Sequence, residues 1–192
     1  MQIAPRAEQQ AARIAAALAR GLAYAGGAIL IALAVLTVAS ILGRAINAWG
    51  FGAIAGDYEL VEAGIAVAVF AFLPWCQLER GHVTVDIVAD GLGRRGREAL
   101  TLVGNMALAA LAFLIVWRLY LGFGEKFPYF SEASRDRLGM GFKPFFPETT
   151  FELELPIWVP FGLSLIGAAA FLIVALYTVW RDWNALFAAG EP

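Results

Sequence analysis

Ala23–Leu42 reads AYAGGAILIALAVLTVASIL, twenty residues without a charge. At about 1.5 Å per helical residue such a run reaches ~30 Å, the hydrocarbon thickness of a bilayer. Two further stretches have the same character. Ala99–Trp117 (ALTLVGNMALAALAFLIVW) and Pro156–Trp180 (PIWVPFGLSLIGAAAFLIVALYTVW) also carry no charged residue. Between them, Tyr58–Trp75 opens with Glu59 and Glu62 and holds Pro74 near its end, but Ala63–Trp75 is unbroken apolar sequence. A helix N-terminus favours negative charge, and a side chain in the first turns reaches the headgroups, so this is read as a span too. The expectation is an all-α integral membrane protein with four transmembrane helices at about 23–42, 58–75, 99–121 and 156–180, together with additional interfacial helices.

Composition agrees with that reading. Of 192 residues, 60% belong to the apolar set AVILMFWYC and 16% to DEKR, and the mean hydropathy is +0.70. One soluble core cannot hide so much apolar surface, so the excess faces lipid or a partner protein. Cys76 and His82 are the single residues of their kinds. They leave no disulfide framework, zinc site or bis-His haem pair, and neither a cofactor nor a metal is expected. The formal charge of −2 gives no excess for binding a polyanion, which excludes nucleic acid as the expected partner.

The ends and connections set the organisation. A cleaved signal peptide is the rival for the first span, but its apolar run exceeds the ~7–15 residues of a signal h-region. Upstream, Arg6, Arg13 and Arg20 recur on one side of a helical wheel and Ile14, Leu18 and Leu22 on another, so residues 1–22 are expected to form a cytoplasmic amphipathic segment lying in the membrane interface. A frayed basic tail is the blander alternative. Residues 23–183 make one four-span domain, and 184–192 are expected to be a cytoplasmic tail. Lys and Arg near the spans number eight on the side of the termini and the second connection and five on the other. Both termini are therefore expected in the cytoplasm. The connection Gln77–Glu98 is short and basic, whereas Gly122–Leu155 holds eight Phe or Tyr residues, among them Phe145 and Phe146, and three prolines. So aromatic a segment is expected to pack on the membrane surface or against another protein.

Three groups of polar residues are candidates for function. The string LERGHVTVD, Leu78 to Asp86, puts Glu79, Arg80, His82 and Asp86 just after the second span. A histidine flanked by carboxylates suits a proton relay. A polar collar that fixes an interfacial turn accounts for the same residues, and it is favoured because spans one, three and four offer no ionisable group at membrane depth. Glu59 and Glu62 begin the second span where Arg118 ends the third, so an intramembrane ion pair is expected there, as structural glue rather than as an ion site. Asn105 is read as an interhelical hydrogen bonder. The paired Gly/Pro breaks that mark many secondary transporters are not present.

With these residues in place the sequence resembles the small permease subunit, of DctQ type, of tripartite ATP-independent periplasmic (TRAP) transporters. The resemblance covers roughly Ala23 to Trp183. It rests on an R-x-H-V-x-V-D string matched at Arg80, His82, Val83, Val85 and Asp86, a basic turn at Arg94–Arg97, and a P-x-W start of the last span at Pro156 and Trp158. The long aromatic loop before that span leaves the substrate subtype open. The resemblance implies a non-catalytic inner-membrane companion. Its partners would be a large multi-span permease subunit of elevator type, a periplasmic substrate-binding protein and the membrane lipids, in sodium-driven uptake of organic acids. It also implies a scaffolding role and help in docking the binding protein, for which Phe145 and Phe146 are the candidates. The competing expectation is a self-contained, proton-coupled small transporter, in which Glu62 would have to act. A membrane enzyme would need a nucleophile and base that one His and one Cys barely permit.

Overall fold

The computed structural model describes residues 5–81 and 93–188. Its order is α1 (Pro5–Ala45), a 3-10 turn (Asn47–Trp49), α2 (Asp57–Leu78), α3 (Arg94–Lys126), a short α4 (Glu132–Leu138) and α5 (Trp158–Ala188). Four of these helices, α1, α2, α3 and α5, are long and apolar enough to cross a membrane. No strand occurs among the described residues, and the all-helical membrane architecture read from the sequence is the one observed.

The spans do not close into a ring in which neighbours in sequence are neighbours in space. Helix α5 lies against α1, α2 and α3, and α1 lies along α2, but neither α1 nor α2 packs its backbone against α3. This makes α5 the spine of the molecule. Its contacts are made with small side chains, which let helices approach in a lipid solvent where the hydrophobic effect gives no drive to associate. Ala109 and Ala112 of α3 meet Phe171 and Ala175 of α5 in a buried cluster, and Leu73 of α2 packs against it.

Pro74 lies inside α2 and is buried. It has no N–H to give to the carbonyl of Phe70, four residues earlier, so α2 has a locally thinned, hydrogen-bond-free face there. Gly167 of α5 sits at that carbonyl: a Cβ on residue 167 would fall 2.7 Å from both Phe70 C and Phe70 O. A proline in one helix and a glycine in the other thus make one close approach.

Three boundaries differ from the sequence reading. Residues from Pro5 onward are not a separate interfacial helix, because α1 runs unbroken for 41 residues, about 60 Å at ~1.5 Å per residue. Nothing between Pro5 and Ala45 interrupts a helix, and the face that packs is not the one marked by Ile14 and Leu18, which are exposed, but that of Ala15 and Ala19, which are buried. Glu8 accepts a hydrogen bond from Asn184 Nδ2 at 2.5 Å, and the Arg20 guanidinium lies 5.7 Å from the Trp75 ring centroid. Residues 184–188 of the expected tail are likewise helical, since α5 continues to Ala188; the rest of that tail lies outside the described residues. The last helix starts at Trp158 rather than Pro156, because Pro156 is held in an antiparallel bridge with Thr149.

The outward faces of the spans are apolar. Ile31 (68% exposed), Val35 and Val38 on α1 and Val103, Leu111 and Phe113 on α3 face away from the bundle. Replacement of Gly167 by Val should overpack the α2–α5 crossing at a cost of about 1–3 kcal/mol. Gly27→Ala, where a Cβ meets nothing within 4 Å, should not lower stability. Thermal unfolding in detergent, followed by circular dichroism, checks the pair.

Candidate functional site

At the end of the bundle that carries both chain termini, α2, α3 and α5 share one buried polar network. Its centre is Asp182 of α5, which is fully buried. Arg80 Nη2 donates to Asp182 Oδ1 at 2.9 Å, Arg181 Nε donates to the same oxygen at 3.2 Å, and Asn105 Nδ2 of α3 donates to Oδ2. Gln77 Nε2 of α2 donates to Asn105 Oδ1 at 2.9 Å and to Thr178 Oγ1 at 2.8 Å. Asn105 therefore links α2 to α5 across the gap that keeps α2 and α3 apart. Arg80 reaches its partner from a left-handed backbone, φ 52°, in the turn that ends α2. That conformation is costly for a residue with a Cβ, and the ion pair offsets it. Glu79 closes α2, its N–H bonded to Trp75 O. His82 and Asp86 lie outside the described residues, so only Glu79 and Arg80 of the predicted collar have a structural account.

At the opposite end the 46–56 turn is tied to both neighbouring elements. Ser40 Oγ donates to Asp57, Arg44 Nη2 bridges to Asp57 Oδ2 at 2.5 Å, and Ile54 N–H donates to Ser40 Oγ at 3.2 Å. The Glu59 carboxylate accepts from the backbone N–H groups of Glu152 (2.8 Å) and Leu153 (3.0 Å), and Gly56 N–H donates to Glu152. Gly56 has φ 71°, and a Cβ there would fall 2.2 Å from Leu153 Cγ, so this docking of loop on turn requires glycine. The expected pairing of Glu59 or Glu62 with Arg118 is not formed among the described residues. Glu59 is committed to the loop, Glu62 and Arg118 are exposed, and α2 and α3 do not pack against each other.

The loop between α3 and α5 is built around Arg135. This residue of α4 is 1% exposed, and its guanidinium donates to six backbone carbonyls: Gly124 (2.6 Å), Phe127 (2.6 Å), Tyr129 (3.4 Å), Met140 (3.2 Å), Gly141 (3.1 Å) and Phe142 (2.9 Å). Gly124 and Phe127 supply carbonyls at the C-terminus of α3, where the helix dipole is negative. Phe123, Phe127 and Trp158 pack beside it with ring centroids 4.9–6.5 Å apart. Lys126 Nζ bridges to Glu148 at 2.6 Å and secures the far side of the loop. A second set of aromatics is presented outward on this base. Phe142 is fully exposed, Phe145 92%, Phe146 74% and Phe151 96%, with the Phe145 and Phe146 rings 4.8 Å apart, edge to face.

Sequence reasoning found Asn105 and Arg80 but missed Asp182, Gln77 and Thr178. Asp182 follows the last apolar run in WRDWN, at the very end of the four-span domain, where nothing local in the sequence marks it as buried. The usable signal was that Gln77 and Asn105 stand at the same end of their spans as Asp182. Arg135 was read only as a loop charge, because its partners are backbone atoms that no sequence pattern displays. Among the described residues no group of three or more His, Cys, Asp or Glu gathers as for a metal ion.

Polar side chains in this protein join helices or fix a loop, and the span surfaces are left apolar, as in an integral membrane subunit built to pack. The model of the DctQ component of tripartite ATP-independent periplasmic transporters matches residues 33–185, and the chain belongs to that family. It is thus the small membrane component of a TRAP transporter, a multi-pass inner-membrane protein. Membership implies association with a large permease subunit and a substrate-binding protein. No match was found among curated proteins or among solved structures.

Replacement of Arg135 by Met removes the donor for all six carbonyls while keeping side-chain length. The α4 lobe should lose at least about 2 kcal/mol of local stability, a roughly 30-fold rise in amide exchange. Hydrogen–deuterium exchange read over residues 124–142 checks this, with the span amides of α2 expected to stay protected.

Proposed function

We propose that this chain is the non-catalytic scaffold of a sodium-driven, binding-protein-dependent importer of organic acids. In this reading the apolar faces of α1 and α3 lie against the large subunit and lipid, and the outward aromatic loop docks the substrate-binding protein. The observation that carries it is the distribution of polar groups. A carboxylate substrate and a sodium ion need preorganised donors and oxygen ligands inside the membrane. Here most of the buried donors and acceptors near the termini are spent on one another around Asp182, with Gln77 Oε1 and Arg181 Nη2 left without a partner among the described residues. The exposed aromatics sit on a lobe made rigid by Arg135, and rigid, desolvatable aromatic groups are what a docking hot spot needs.

The charge balance supports both termini in the cytoplasm, with the α4 lobe and the Phe145–Phe146 pair in the periplasm. A cysteine introduced at Ser131, an exposed N-cap residue, should then be labelled by an impermeant maleimide added to intact cells. Exclusive labelling from the cytoplasmic side reverses the topology. On the same reading Arg80 is structural, and Glu79, His82 and Asp86 belong with it to the cytoplasmic turn. His82→Gln should therefore leave uptake unchanged across pH.

Proteoliposomes containing this protein alone should show no sodium-dependent organic-acid uptake, and adding the large subunit with loaded binding protein should restore it. Robust uptake by the isolated chain would instead favour the self-contained proton-coupled transporter. Within the complex, the double change Phe145→Ala and Phe146→Ala should weaken binding-protein docking by about 2 kcal/mol or more, roughly 30-fold in Kd, with assembly in the membrane unaffected. Unchanged affinity after both substitutions removes the pair from the docking surface.

A further inference from the structure

Because α2 and α3 do not pack on each other, a groove opens between them over α5, at the end of the bundle away from the termini. It encloses a cavity of about 290 Å³, close to the lower bound of ~300 Å³ for small-molecule sites. One wall is a stripe on α2, from Glu59 and Glu62 through Ala63 and Ala66 to Phe70; the floor is Ile157 and, on α5, Pro160, Phe161 and Ser164; Leu119 of α3 faces them. The α2 stripe descends eleven residues, about 16 Å along the helix. It is therefore long and narrow, with Glu59, Glu62 and Thr150 at its outer end and mostly apolar side chains below them, Ser164 excepted.

The two walls differ in charge. Glu62 is exposed and lines the cavity on the α2 side. On α3, Gly122 and Lys126 both face Phe161: a Cβ on Gly122 would lie 3.0 Å from its ring, and Lys126 Nζ lies 5.6 Å from the ring centroid. Arg118 stands one turn before Gly122 in that same row, four residues apart, and is exposed. Glu62 thus lines the groove on one wall, while Arg118 does not line the cavity itself but stands next to Leu119, which does, on the opposite helix; these two form no ion pair with each other in the structure.

We propose that the groove holds one phospholipid with a zwitterionic, primary-ammonium headgroup, of the phosphatidylethanolamine class. One acyl chain lies along Ala63, Ala66 and Phe161. The ammonium donates to the Glu62 carboxylate, and the phosphate meets Arg118. Charge complementarity selects this occupant over other membrane lipids. A glycerol headgroup offers Glu62 only neutral hydroxyl donors while its net negative charge is repelled, and a choline headgroup has no N–H to donate. Lipid thereby fills the groove between two spans whose backbones do not pack and whose side chains meet at the other end through Gln77 and Asn105.

The full chain, purified in mild detergent and mixed with equal amounts of phosphatidylethanolamine, phosphatidylglycerol and phosphatidylcholine of identical acyl chains, tests this by native mass spectrometry. The wild type should retain one phosphatidylethanolamine with at least about tenfold preference over either competitor. Ala66→Trp, which fills the groove, should abolish retention. Glu62→Gln, an exposed change that leaves packing alone, should bring phosphatidylethanolamine down to the level of phosphatidylcholine, and Gly27→Ala on the open face of α1 should change nothing. Equal retention of the three lipids by the wild type overturns the proposal, as does retention that survives both Ala66→Trp and Glu62→Gln. Release of the lipid when the large subunit is added would assign the groove to that protein and overturn it equally.

Discussion

A carboxylate with no exposed surface at the junction of three helices constrains everything around it. A buried carboxylate needs donors for its oxygens, and the three that reach Asp182 come from the turn after α2, from α3 and from α5 itself. An uncompensated charge at such a place would cost several kcal/mol, and removing one member of a buried pair typically costs about 3–5 kcal/mol. The network therefore specifies a register: only one axial position of α2 and α3 along α5 brings Gln77, Asn105 and Arg80 to bear at once. Small-residue packing leaves helices free to slide past each other by a turn. Polar pairing at one end removes that freedom, and the α5 spine passes the constraint to Gly167 and Phe70 further along.

The other end solves the opposite problem. There the chain leaves the membrane in a loop of more than thirty residues between Lys126 and Trp158, and such a loop is rarely ordered without its own core. Arg135 supplies the organisation with one side chain. Its planar fork gathers carbonyls from the end of α3 and from the segment after α4, oxygens that would otherwise need water. Glu59 and Gly56 then pin residues 152 and 153 of the same loop to the start of α2. A buried guanidinium satisfied by dipoles and a buried carboxylate satisfied by cations hold the two ends of one bundle.

Most of the architecture was legible because apolar runs of about 20 residues admit few readings. The spans, their order and the all-helical class follow from that alone. What the runs do not carry is where a helix continues past the apolar stretch. Helix α1 continues upstream because Ala15 and Ala19 pack on their neighbours, and α5 continues downstream because Asp182 and Asn184 are consumed inside the structure. Read without neighbours, Arg13, Ile14 and Leu18 suggest an interface segment, and nothing in WRDWN marks Asp182 as buried. The Glu62–Arg118 pairing failed for a topological reason: connection in sequence suggested contact between α2 and α3, and α5 occupies that place. The resemblance carried by Arg80 and Pro156–Trp158 was sound for the family, while the centre of the Arg80 clamp, Asp182, lay a hundred residues away.

The placement of polar chemistry bears on how a subunit of this kind works beside a moving partner. A protein that itself transports must have a pathway whose polar groups change partners during the cycle, and such groups are left partly unsatisfied or exposed to water-filled cavities. Asp182, Asn105 and Arg135 are instead bound on several sides at once, although Gln77 Oε1 and Arg181 Nη2 beside Asp182 have no partner among the described residues. The sides of the spans carry aliphatic residues that pack equally well against lipid or against another helix. Fixed ends and adaptable sides suit a body that stays still while a neighbour moves. On the proposed reading, specificity for partners falls to the aromatic loop, whose phenyl rings are large and exposed in the isolated chain.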